Sequence, residues 1–456
     1  MTTGPTGELA AFAAALRYED LPPEVVAHVK LCLLDTLGCG LFGSTLPWVE
    51  IVRDTVGAIE DGGSARLWGR GATASPPLAA LVNGTAVHAF ELDDLHRQSI
   101  VHPGSVVVSA AQAGAALRPG AGGRELVTAM VAGYEVAARV GMSMGGAHLV
   151  QGWHPTGTHG ALGAAAAAGS MLGLDAEQMR HAIGTAGSHS SGLMASQFSS
   201  MVKRLHAGHA AQSGVLSALL ARNGFLGIPD LLENPYGGYL STFSPVSHPE
   251  LILAGLGTEW EVAKVGFKPY STNGSCHPAI DALRAMQAAE GIGLADVESV
   301  AIRCSTATYK HVGWEYVPDS VTTAQMNLSY IVSVVLADGD AFVDQFTAER
   351  IADPELVAFS RRITVTPDAA IDAGGDAMRH ATQIDVTLRD GRVLTDARTH
   401  AHGSAASPLT REDLIGKFTK LARKAVPAER VERIVAFVDG IDETADLAEL
   451  EEVLAA

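Results

Sequence analysis

The amino-acid sequence predicts a mainly α fold, in which a large helical domain formed from both chain ends (1–258 and 400–456) carries a smaller inserted α+β lid domain (259–399). Three observations lead there. From Glu8 to about Gly255 apolar residues return every three or four positions, as in Val25, Val26, Val29 and Leu33, the spacing of a helical stripe that faces a core. After about Glu259 strand-like alternation enters the chain. From Thr410 helical spacing returns, so the last helices are expected to rejoin the first domain and leave a cleft between the two domains, a natural place for a ligand.

Within the helical part, Glu125–Val140 and His159–Leu172 read as helices, the second so rich in alanine that it must pack closely against its neighbours. Glycines 133, 141, 145, 146, 152, 157 and 160 are expected mostly at helix ends, where a C-cap or a close backbone approach favours glycine. In the inserted part, Val297–Ser305 alternates in its second half and Arg362–Thr366 alternates likewise. Gln383–Leu388 and Val393–Asp396 read as a hairpin around Asp390-Gly391. Helices are expected between the strands at His277–Ala289, Ala324–Ala337 and Asp344–Arg350.

A chain of 456 residues is long enough for two or three domains with large cores. Its composition, 47% hydrophobic against 18% charged, is apolar for a water-exposed surface and predicts that a subunit partner covers part of it. The longest apolar runs, such as Ala161–Met171, are alanine and glycine, and none is expected to reach the roughly 20 residues of a membrane span. The N-terminal residues lack the basic and apolar regions of a secretory signal, and cysteines 32, 39, 276 and 304 follow neither a metal-ligand nor a disulfide pattern. A cytoplasmic location is expected. The formal net charge of −18 disfavours nucleic acid and anionic membrane as partners. An anionic small molecule is still admissible where Lys203, Arg204 and Lys268 converge.

The segment Asn83–Gly104 concentrates Glu91, Asp93, Asp94, His88, His96, His102 and Arg97 between apolar flanks, which marks a candidate active site. If helical through Leu95, it would set His88, Glu91 and Leu92 on one face with Leu95, and Asp93, His96 and Arg97 on the adjoining one. A solvated helix end with the aspartates as caps is one alternative. A metal site of His88, Asp93, Asp94 and His102 is another, though no second ligand cluster accompanies it. A magnesium-diphosphate motif fits poorly, because Arg97 stands where its third acid would be.

Three further segments weight the reading. Gly152–Gly160 places His154 in a glycine-broken loop, Met201–His209 starts a helix with Lys203, Arg204, His206 and His209, and Gly266–Pro278 supplies Lys268, Asn273 and His277 at the domain junction. Together they offer cations for carboxylates and histidines for proton transfer, a set suited to proton chemistry on a small polycarboxylate.

These segments, in this order, resemble the MmgE/PrpD family: His-Ala-Phe-Glu-Leu-Asp-Asp from His88 with His102-Pro-Gly, Gly-Trp-His-Pro-Thr-Gly-Thr from Gly152, Val-Lys-Arg-Leu-His-Ala-Gly-His-Ala-Ala from Val202, Lys268-Pro-Tyr with Cys276-His-Pro-Ala-Ile-Asp-Ala, and Gln325-Met-Asn-Leu-Ser-Tyr330. The resemblance covers nearly the whole chain. It implies a homodimer, no metal or iron–sulfur cofactor, and site positions at Glu91, Asp93, His102, His154, Lys203, Lys268, Asn273 and Tyr330, with His277 nearby. In the family's decarboxylase pattern the position of Glu91 looks like an aspartate and that of Asn273 a histidine, so this chain differs there, and it also lacks the Asp-Tyr-Asn-Asp form of the acidic motif found in the dehydratase branch.

The reading is therefore a cofactor-independent lyase of the 2-methylcitrate dehydratase kind, acting alpha to a carboxylate on a di- or tricarboxylic acid. An epimerase, a cis-aconitate decarboxylase and a silent acid-binding dimer are its alternatives. His102, Lys203, Asp93, His154 and Lys268 are the expected catalytic residues. Glu91, Arg97, Arg204, Asn273, His277 and Tyr330 are expected to bind substrate.

Overall fold

The computed structural model describes residues 4–198 and 200–455. Helices dominate, and the largest body packs around the Pro155–Met171 helix, which touches Pro103–Ala115, Gly123–Val150 and Val202–Arg222. The physical reason is side-chain size. Ala164 to Ala168 are fully buried, and a Cβ added to Gly214 would come within 2.4 Å of the Ala164 Cβ, so small residues let the backbones approach closely. Gly208 does the same for Pro76–Val87, because a Cβ there would lie 2.1 Å from the Leu81 carbonyl. The glycines expected at helix ends thus divide. Gly133 and Gly141 lie inside the Gly123–Val150 helix, and Gly152 is in a turn with φ of 109°.

The Pro23–Gly43 helix corrects one expectation. It is 21 residues long and apolar enough to cross a membrane by length and composition, whereas no run of that length is expected from the sequence. Here it is a core helix, buried from Cys32 to Gly43. Its Asp35 forms an ion pair of 2.6 Å with Lys417 on the Arg411–Ala422 helix, which packs along it. That pair joins the C-terminal helices to the N-terminal ones. Lys417 also donates 2.5 Å to the Leu92 carbonyl, tying the acidic segment to the same core.

The four-stranded sheet runs Ile363–Pro367, Val297–Cys304, Thr382–Leu388, Val393–Arg398 in spatial order, with the first pair parallel and the others antiparallel. Burial alternates at every residue from Thr382 to Leu388, as a sheet with one covered face requires. The covering element is the His277–Glu290 helix, backed by Leu328–Asp338. The hairpin turns at Asp390-Gly391, where Gly391 takes φ of 91°. The expected Ala324–Ala337 helix is interrupted at Met326 and Asn327, because the Asn327 side chain accepts from Tyr330 N at 3.0 Å and starts a new helix. Residues 261–266 dock on the helical body: Val262 N donates to Glu135 at 2.9 Å, and Val265–Gly266 pairs with Leu95–His96. All four cysteines are buried and unbridged.

Candidate active site

The Pro76–Val87 helix does not continue through the acidic segment. It tightens to a 3₁₀ turn at His88–Phe90 and stops at Glu91, whose backbone is left-handed (φ 57°, ψ 31°). The stop has a cause. The Phe90 carbonyl accepts from Ser271 at 2.7 Å and Gln325 at 3.0 Å, both from the far side of the cleft. The expectation of one helical face carrying His88, Glu91 and Leu95 is therefore corrected, and so is the solvated-end alternative, since His88, Glu91, Asp93 and Asp94 are at most 2% exposed.

Left-handed backbone costs a non-glycine residue about 1–2 kcal/mol, and here ionic contacts hold it. The Glu91 carboxylate pairs with Lys203, with Arg204 at 2.5 Å and with Lys268 at 3.1 Å. Lys203 and Arg204 sit in the first turn of Val202–Arg222, a helix end that itself attracts an anion. Burial alone would raise the Glu91 pKa, but Lys203, Lys268 and Arg204 overcome it and hold the carboxyl well below its usual range. Burial pushes Lys203 down to about 8, although Glu91 opposes the shift.

Asp93 serves the histidines. His88 Nδ1 donates to its Oδ2 at 2.7 Å, while Oδ1 faces His102 Nδ1 at 3.4 Å, and neither of these last two atoms has a hydrogen-bond partner among the described residues. Burial would raise Asp93, yet His88 and His102 bring it below the ordinary aspartate range. His102 is pushed to about 3, by burial first and by Lys268 and His88, against the pull of Asp93. Burial likewise holds His154 neutral, with Lys203 and His88 adding to the effect. His102 and His154 occupy equivalent places, each just before the proline that opens a helix. Proline at the first helical position fixes the turn and sets both imidazoles toward the same space.

Asp94 plays a different part. It accepts from Gly104 N at 2.9 Å and from the Tyr134 hydroxyl at 2.7 Å, and burial beside Asp35 pushes its carboxyl up to about 8. It therefore anchors the loop that carries His102.

One cavity, about 770 Å³ including its open mouth, gathers these groups. Glu91, His102, His154, Lys203, Lys268, Asn273 and Arg97 line it. Asp93 stands behind His102, and Arg204 lies behind Glu91, donating to Gln325 at 2.9 Å. Two sequence expectations are corrected. Tyr330 does not reach this space: its hydroxyl donates to the Gln345 carbonyl at 2.6 Å and its ring packs on Tyr316 and Phe346. His277 borders an adjoining cavity, its ring edge-on to Tyr270 and its Nε2 3.4 Å from the Thr272 carbonyl.

The cavity also holds His311, Arg379 and His380, none of them singled out in the sequence. Arg379 and His380 come from the stretch before the Thr382 strand, far from every histidine-rich segment, and only their adjacency marked them.

His88, Asp93 and His102 present ligand atoms within 4.8 Å of one another, so a metal ion could in principle find three donors there. The observed bonding favours histidine orientation, since Asp93 already accepts from His88.

The chain is similar to known proteins over nearly its whole length. The MmgE/PrpD N-terminal domain matches residues 7–250 and the MmgE/PrpD C-terminal domain residues 270–443. A cis-aconitate decarboxylase-like protein of Aspergillus oryzae is 32% identical over 98% of this chain and 96% of its own length. The cis-aconitate decarboxylase of Aspergillus terreus is 30% identical over 99% and 96%, and that of Mus musculus 27% over 98% and 93%. With family domains spanning both parts of the molecule and full-length relatives at this identity, the chain belongs to the MmgE/PrpD family.

Proposed function

We propose that the protein is a carboxy-lyase acting on an unsaturated tricarboxylate of the cis-aconitate type. The observation that carries the proposal is the cavity itself. Lys203, Lys268, Arg97 and Arg379 face the space around His102 and His154, and Glu91 is the only acid among the described lining residues. Of the reactions open from sequence, decarboxylation is the one its full-length relatives are named for, so it takes precedence over dehydration.

Loss of CO₂ leaves the C–C electron pair on the substrate, spread over the neighbouring double bond and carboxylate. Lys203 and Lys268 stabilise that negative charge. A proton must then reach carbon. His102 is neutral without added charge, but a bound polycarboxylate brings the anions that raise its affinity for a proton, and Asp93 stabilises the imidazolium that results. With Nδ1 turned to Asp93, Nε2 is the nitrogen left for the substrate.

Supporting a homodimer, Leu193, Phe198, Met201, Phe225 and Leu226 are large apolar side chains that stay exposed. Light scattering at micromolar concentration tests that part, and a monomer rejects it.

The reaction is tested by incubating the protein with cis-aconitate, 2-methylcitrate and aspartate-derived diacids in heavy water. CO₂ release with one deuterium in the product supports the proposal. Water loss, deuterium exchange with inverted configuration, or binding without exchange would reassign the protein to dehydratase, epimerase or silent binder.

A further inference from the structure

Burial keeps His102 neutral in the free protein, so the proton it passes to carbon has to arrive after a polycarboxylate has bound, when the ligand itself fills the cavity. A route from behind is needed. On that side the structure sets a row of imidazoles. The His88 ring lies 5.0 Å from that of His102 and 5.4 Å from that of His154, and the His154 ring lies 5.1 Å from that of His206. His88 Nε2 is buried and has no hydrogen-bond partner among the described residues.

The outer link of the row is a hydrogen bond. Nδ1 of His154 and Nδ1 of His206 are 3.0 Å apart, so one of them carries the proton and the other accepts it. Gly192 lets the two rings meet: a Cβ there would press within 3.2 Å of His206 Nδ1 and 3.3 Å of the His154 Cβ, and the Gly192 carbonyl accepts from His154 N at 3.0 Å. With Nδ1 turned to His206, Nε2 of His154 is left for the cavity that His154 lines. On its far side the half-buried His206 lines a surface groove with Ser191, Leu193 and His209, where Ser191 Oγ is 3.3 Å from His209 Nδ1. Water held by these polar groups reaches His206 with or without a subunit over the neighbouring apolar side chains. Burial first, then His88, Lys203 and His209, lowers His206 to about 4, and neither His154 nor His206 pairs with a carboxylate among the described residues, so a proton passing between them is not trapped.

We propose that His206 is a positioning residue that acts through His154, relaying the proton of each turnover from the surface groove to His154 and, past His88, to His102. His206 Nε2 takes a proton from hydronium or a buffer acid in the groove, the Nδ1 proton of His206 passes to Nδ1 of His154, and His154 releases its Nε2 proton inward. Decarboxylation uses up that one proton at carbon and releases CO₂, so no other reactant enters. Between turnovers the two tautomers reset through water in the groove and in the emptied cavity. The relay rests on the proton chemistry of the reading above, but not on decarboxylation, because a dehydratase or an epimerase at this site also moves a proton between substrate and solvent.

The test follows turnover of cis-aconitate by the full chain and, in heavy water, deuterium entry into product and recovered substrate. His206→Ala is expected to lower kcat at least about tenfold, short of the roughly 10²- to 10⁴-fold of the acid it serves, with KM within about threefold of wild type. Added imidazole, small enough to enter the groove, is expected to restore part of that rate in a saturable way. His206→Asn keeps a hydrogen-bonding group for Nδ1 of His154 but cannot relay a proton, so it is expected to stay slow and to answer to imidazole as well, and it guards against a folding defect in the alanine variant. Full activity in His206→Asn would reduce His206 to orienting His154 and overturn the relay, as would wild-type kcat in His206→Ala or slow variants that imidazole leaves unchanged. A wild-type protein that releases no CO₂ yet exchanges deuterium loses the proposed reaction, and the relay is then read from the exchange rate in the same variants. No exchange with any of the candidate acids overturns the relay too.

Discussion

The Asp93 carboxylate lies 3.4 Å from Nδ1 of His102 while its other oxygen accepts from His88 at 2.7 Å. One buried anion thus serves two imidazoles, both lowered by burial. The ionised member is Asp93, and a proton arriving at His102 would find its counter-charge in place. A small movement of the His102 loop closes the gap to a full hydrogen bond, and Asp94 at the Gly104 amide governs that loop.

Replacing His102 by alanine is expected to lower kcat by about 10²- to 10⁴-fold with little change in substrate binding, the range of a positioned acid or base. Asp93→Asn keeps the shape but not the counter-charge, so kcat is expected to fall by at least about tenfold, again with KM nearly unchanged. Steady-state kinetics on the decarboxylated substrate decides this. Near-wild-type kcat in His102→Ala passes the proton-donor role to Lys203 or His154.

Glu91→Gln strands three buried cations. Breaking a buried ion pair by removing one partner costs about 3–5 kcal/mol, so the variant is expected to melt several degrees lower. An added tricarboxylate replaces part of the missing charge, and its stabilising effect is expected to be larger in the variant than in wild type. Equal ligand-induced shifts in scanning calorimetry would mean that Glu91 does not compete with ligand for these cations.

The sequence showed the chemistry of the site better than its shape. Lys203, Lys268, His102 and His154 lie in dense, chemically unusual segments, and all four reach the cavity. Tyr330 shares a motif with Gln325 and Asn327, but the motif's work here is structural: Asn327 caps the helix and Gln325 holds the Phe90 carbonyl, while the Tyr330 ring faces the core. Arg379 was illegible because its relation to Arg97 spans 282 positions and follows from how the segment before Thr382 folds back. Helical periodicity also overran Phe90, since the bonds that end that helix come from Ser271 and Gln325, which no local pattern reports. The strands from Thr382 to Arg398 were readable because alternation and an Asp-Gly turn are local.

Chelation separates the two readings of His88, Asp93 and His102. Proton chemistry predicts full activity after dialysis against EDTA, and no recovery or gain on adding zinc, manganese or magnesium. Loss of turnover with EDTA and its return with one divalent ion would make these residues ligands instead, with metal release of protons as a second signature.

The pH dependence follows from groups with opposite shifts. For activity, Lys203 loses its proton near 8 in the free protein, so kcat/KM is expected to fall above about pH 8, and Glu91→Gln, which removes the charge that raises Lys203, should move that limb to lower pH. For stability, burial lowers His102 to about 3 and both His148 and His206 to about 4. These are below the ordinary histidine value of about 6.5, so the unfolded chain binds more protons in acid. Their contribution is complete above about pH 6.5 and is lost as pH falls toward 4. Asp94 acts in the other direction: with its carboxyl raised to about 8, the folded chain binds the extra proton, and stability declines as pH rises from about 4 to 8. Three histidines outweigh one aspartate below 6.5, and Asp94 prevails above it. The melting temperature is expected to peak near pH 6.5, and Asp94→Asn, which keeps an acceptor for the Gly104 amide, should remove the decline between 6.5 and 8. If wild type and Asp94→Asn lose stability equally over that interval, Asp94 is not the group that titrates there.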